Sequence, residues 1–77
     1  MTNFEKIKRS YASSIQLALL FGIGYKEAKR GNELFNRSCK ICIDSGYYSK
    51  QDKEAMKFEL DVIKEALDVE INCKFGM

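Results

Sequence analysis

Two glycine-bearing breaks, Gly22-Ile23-Gly24 and Asp44-Ser45-Gly46, divide the chain into three segments whose apolar residues recur at helical spacing. The first, about Asn3 to Leu20, aligns Phe4, Ile7, Tyr11, Ile15 and Ala18, with Thr2 or Asn3 as N-cap. From Ile15 onward it is apolar all round, because Leu17, Leu20 and Phe21 point off that line. The second, about Tyr25 to Asp44, puts Ala28, Gly31, Phe35, Cys39 and Cys42 on one face. Lys26, Arg30, Arg37 and Lys40 occupy the opposite face with Glu33, and Leu34 and Ile41 flank them. Gly31 on the apolar face, costing about 1 kcal/mol relative to Ala, suggests a close neighbouring helix.

The third segment opens at Ser49, with Asp52 three residues on as a relative of the capping box, and runs over about 50–71. It carries two apolar seams. One is Met56, Leu60, Ile63, Leu67 and Ile71, and the other is Phe58, Val62, Ala66, Val69 and Cys73. Two seams imply two packing partners.

These segments predict an all-α domain over 1–77, with helices at about 3–20, 25–44 and 50–71. The expected form is a three-helix bundle, or a helical hairpin with an additional N-terminal helix. The surplus apolar surface exceeds what a soluble monomer normally leaves bare. A homo-oligomer is therefore expected, most simply a two-fold dimer, with Leu17, Leu20, Phe21, Phe58, Val62 and Val69 at the interface.

Composition sharpens this. At 77 residues, 45% of them hydrophobic, one domain is allowed and its core alone is marginal. Thirteen basic and eleven acidic residues nearly cancel, but unevenly. Residues 1–40 hold eight Lys/Arg against three acids, and residues 41–77 hold five Lys against eight acids. Such a polar chain can meet a copy of itself, basic half on acidic half, or offer the basic half to an acidic partner. The charges of the third segment alternate as on a solvated helix supported by i, i+4 pairs.

The absence of histidine removes the commonest general base and metal ligand together. Three cysteines, an odd number, fit free thiols in a reducing, cytoplasmic setting. Cys39-Lys-Ile-Cys42 has zinc and redox spacing, but Cys73 is the only further thiol and the pair sits near a helix end of the wrong polarity. Two small buried hydrophobes are the expectation, with no metal and no cofactor. Asn36-Arg37-Ser38 matches a glycosylation acceptor, accidental in a cytoplasmic protein. Lys6, Lys8 and Arg9 before the run Ile15–Ile23 imitate a signal peptide, but Glu5 and Gln16 interrupt the pattern and the run is too short to span a bilayer. With no nucleophile–base arrangement either, a non-enzymatic protein is expected.

No family is recognisable in any run of residues. The stretch Gln16 to Ala28 resembles a helix-turn-helix core, with Ala18, Gly22, Ile23 and Ala28 in place and Gly31 departing from the pattern. That resemblance implies Tyr25, Lys26, Lys29 and Arg30 at a major groove or its phosphates. The competing reading is an ordinary helical hairpin. The stripe Lys26, Arg30, Arg37 and Lys40 suits nucleic acid, nucleotide phosphates or an acidic protein surface. Tyr47 and Tyr48 are aromatics of the kind that anchor interfaces or stack on bases, or they close over the bundle end. The Lys, Ile, Asn and Phe usage fits an AT-rich genome, as in many small helical bacteriophage proteins. The leading expectation is a small regulatory or inhibitory protein that occupies a macromolecular partner. The alternatives are a nucleic-acid-binding protein and an oligomer sequestering a small anionic ligand such as a nucleotide.

Overall fold

The computed structural model describes residues 3–46 and 48–76; Thr2 and Tyr47, named above as cap and contact residue, lie outside them. Three helices follow one another: α1 (Asn3–Leu20), α2 (Tyr25–Asp44) and α3 (Lys50–Phe75). Their ends follow local chemistry. The α1–α2 turn pivots on Gly22 at φ 85°, a left-handed conformation open to glycine without a Cβ clash. Ser49 caps α3 by accepting the Asp52 backbone N–H at 3.2 Å. The α3 periodicity continues one turn past the expected end at Ile71, and Gly76, left-handed at φ 70°, closes it.

The helices alternate in direction. Tyr11 stacks on Phe35 with ring centroids 5.8 Å apart, and Ile15 faces Gly31, so α1 and α2 lie antiparallel along their length. Lys8 bridges to Glu59, while Leu20 lines a hollow with Glu70 and Lys74, so α1 runs parallel to α3. The result is an up-down-up bundle. A helix-turn-helix would set its two helices at about 90–120°; here they form a hairpin.

The core joins Phe4, Tyr11, Ile15 and Leu19 of α1, Ala28, Cys39 and Ile43 of α2, and Leu60, Leu67 and Ile71 of α3. The predicted lines of α1 and α3 hold, with Leu19 replacing Ala18 as the inward residue at the end of α1. The α2 face is corrected. Its buried line is Ala28, Asn32, Asn36, Cys39 and Ile43, whereas Phe35 and Cys42 are exposed. Apolarity pointed to the wrong edge of α2 because two of the inward residues are carboxamides.

Those carboxamides are hydrogen-bonded across the helices. The Tyr11 hydroxyl donates to the Asn32 backbone carbonyl at 2.8 Å and also meets the Asn32 side-chain Oδ1. The Asn32 Nδ2 donates to the Lys64 carbonyl and to Asp68 Oδ1, each at 2.9 Å. One turn away, Asn36 Nδ2 donates to the Leu60 carbonyl at 3.0 Å. Among the described residues, no buried side-chain N or O lacks a partner. Burial also excludes Asn36 as a glycosylation site.

Two substitutions test this packing. In Asn32→Ala the Tyr11 hydroxyl loses its side-chain partner inside the core, and urea denaturation should register a loss of roughly 2–3 kcal/mol. A Cβ added at Gly31 would sit 3.5 Å from Ile15 Cδ1, ordinary van der Waals contact. Gly31→Ala should therefore stabilise by about 0.5–1 kcal/mol, raising the melting temperature by about 4 °C.

Candidate interaction surface

The five basic residues singled out on α2, the stripe Lys26, Arg30, Arg37 and Lys40 together with Lys29, divide into two groups when the third helix folds beside them. Lys29 and Lys40, half-buried, turn toward α3 and pair with Asp68 at 3.2 Å and with Asp61 at 2.7 Å. Lys57 returns the pairing from α3 to Asp44 at 2.7 Å, and Lys8 of α1 reaches Glu59 at 3.0 Å. Within α3 the i, i+4 pair Lys64–Asp68 joins the same cluster at 3.3 Å. Glu59, Asp61 and Asp68 of α3 thus turn to neighbouring helices, so the charges of this helix are only partly those of a self-paired solvated face. Three ion pairs join the basic half of the chain to its acidic half within the fold.

Three of the predicted basic residues stay on the outside. Among the described residues, Lys26 and Arg30 have no ion-pair partner, and Arg37 reaches only Glu33 of its own helix, at 3.7 Å. Tyr25, placed at a DNA groove by the helix-turn-helix resemblance, instead packs edge-on against Phe75 and donates its hydroxyl to Asn72 at 3.1 Å. Tyr48 is half-buried against the core, closing the bundle end.

The six apolar residues expected at an interface are all exposed. Leu20 is 78% and Phe21 86% exposed, and Leu17, Phe58, Val62 and Val69 are each more than half open. They form two separate tracts. Leu17, Leu20 and Phe21 make a tip at the end of α1. Phe58, Val62 and Val69 lie on the outward face of α3, about half a turn of helix away from the core line through Leu60 and Leu67. Leu34 and Ile41, 50% and 62% exposed, add a third tract on the outward face of α2.

Two of the surface grooves lie between α2 and its neighbours. One, of about 530 Å³ between α2 and α3, is walled by Glu33, Asp61 and Glu65 facing Arg37, Lys40 and Lys64, a balance of sign with no preference for an anion. The other, of about 330 Å³ between α1 and α2, is mostly apolar and includes Tyr11, Phe35, Cys39 and Cys42. All three cysteines are free. Burial pushes the Cys39 thiol up, helped by Cys42, which keeps it protonated and disfavours a reactive thiolate. Among the described residues, no cluster of three His, Cys, Asp or Glu side chains has the grouping of a metal site, and no helix is long and apolar enough to cross a membrane.

Asp68 is the hub linking surface charge to the core. Burial raises its carboxyl pKa, but hydrogen bonds from Asn32, Lys29 and Lys64 outweigh that and hold it below its ordinary 3.8. A carboxyl depressed in the folded state stabilises the fold above its unfolded pKa, and that contribution is lost as pH falls through the folded value. Urea midpoints should therefore drop as pH falls below about 4, and Asp68→Asn should flatten this acid-side slope. Compared with known proteins, the chain matches no family model, no curated protein sequence and no solved structure.

Proposed function

We propose that the chain is a small, non-enzymatic regulatory or inhibitory protein that self-associates and acts by occupying a macromolecular partner. The observation that carries this reading is the tip of α1. Leu20 and Phe21 are among the most exposed large apolar side chains, and they stand immediately before the Gly22 turn. An aromatic held out from fixed backbone loses little conformational freedom on docking, and aromatic anchors of this kind dominate interface energetics. Lys26 and Arg30 follow in the first turns of α2, without an ion-pair partner among the described residues. The partner that suits this tip is a protein surface with an apolar pocket and an acidic rim.

The nucleic-acid alternative draws less support, because Lys29 and Lys40 are engaged by carboxylates of the same chain. Phosphate binding at those positions would have to break these pairs. Sequestration of a small anion is weakened in the same way by the mixed charge of the α2–α3 groove.

The chain has no Trp and four Tyr, so bound nucleotide or nucleic acid would dominate its ultraviolet spectrum. Light scattering with absorbance on the same peak should return a mass above 8.9 kDa with no excess near 260 nm. Phe21→Glu, with circular dichroism unchanged, should abolish a partner complex that survives added salt. Co-purifying nucleic acid, with affinity falling at least about a thousandfold between roughly 50 and 200 mM salt, would replace this reading by the nucleic-acid one.

A further inference from the structure

The outward faces of α2 and α3 share one residue rhythm. On α2 it is Arg30, Leu34, Arg37 and Ile41, and on α3 it is Phe58, Val62, Glu65 and Val69, both at spacings of four, three and four. That is the heptad spacing of a helix–helix seam, and each run rises about 16 Å. The five apolar members are half or more exposed. Their charged members differ in sign. Arg30 and Glu65 have no ion-pair partner among the described residues of the chain, and the Arg37–Glu33 pair is long and open to solvent.

The pairing possibilities are then unequal. Two copies of the α2 seam facing each other bring Arg against Arg, and two copies of the α3 seam bring Glu65 toward Glu65. An α2 seam on an α3 seam instead sets arginine beside glutamate and aliphatic against aromatic and aliphatic side chains.

We propose that the occupant of the α3 outer face is α2 of a second copy of this chain. Leu34 and Ile41 of one protomer pack on Phe58, Val62 and Val69 of the other, and Arg37 pairs with Glu65. Because α2 and α3 are antiparallel neighbours, a two-fold axis through the groove between them engages both seams of both protomers. Self-association then consumes the α2 and α3 tracts and leaves the α1 tip open. This assignment rests on the self-association proposed above.

The test is sedimentation equilibrium of the full chain and its variants, with circular dichroism to confirm folding. The intact chain should have twice the 8.9 kDa protomer mass. Val62→Glu, Arg37→Glu and Glu65→Arg should each raise the dimer dissociation constant by about tenfold or more, and the charge-swapped pair Arg37→Glu with Glu65→Arg should recover most of the loss. A monomeric intact chain would overturn both the self-association and this surface. A dimer indifferent to these changes but dissociated by Leu20→Glu would overturn the surface alone and move the interface to the α1 tip. Mass growing without limit with concentration would overturn the two-fold closure.

Discussion

A single buried carboxamide, that of Asn32, holds the register of all three helices. It is met by a hydroxyl from α1 and donates to a backbone carbonyl and a carboxylate of α3. In a low-dielectric core these bonds are directional, and a slip of any helix leaves a polar group stranded. The apolar side chains around it could slide past one another at modest cost. The hydrophobic effect collapses the bundle, and the Asn32 cluster selects the alignment. Tyr11 shows the consequence for protonation, since burial, with the nearby Cys39, Asp68 and Asp61, raises its hydroxyl pKa far above the ordinary tyrosine value.

The same cluster connects core to surface. Asp68 joins Asn32 on the inside to Lys29 and Lys64 on the outside, so the charges that join α2 to α3 begin where the buried network ends. Exposed ion pairs of this kind contribute little individually. Their larger effect is to remove Lys29 and Lys40 from the pool of free cations. What remains, among the described residues, is a chain with positive charge free of ion pairs on α2 and a likewise free Glu65 on α3, each beside bare apolar side chains.

The number of helices, their periodicity and all their limits but the end of α3 were legible in the sequence because glycine punctuation and the caps are local signals. The cap at Ser49 and the inner seam of α3 needed nothing beyond spacing. The inner face of α2 was not legible. Asn32 and Asn36 read as surface residues, and only the approach of Tyr11 and of the α3 carbonyls gives them a reason to be buried. The fate of the basic stripe was hidden for the same reason. Whether Lys40 faces solvent or Asp61 depends on how α3 lies beside α2, which no helical wheel contains. The two-seam character of α3 was visible, and the single chain satisfies only one of those seams.

Asn36 addresses Leu60, and Asn32 addresses Lys64, through main-chain carbonyls and not side chains. A carbonyl is the same whatever residue carries it. Part of the instruction that aligns α3 is thus written in atoms that substitution at Leu60 or Lys64 does not alter, and the outward positions of that helix take no part in it. Substitution at the outward positions Phe58, Val62 and Val69 leaves those carbonyl bonds in place. The alignment of the bundle and the chemistry of its outer surface can therefore be altered separately.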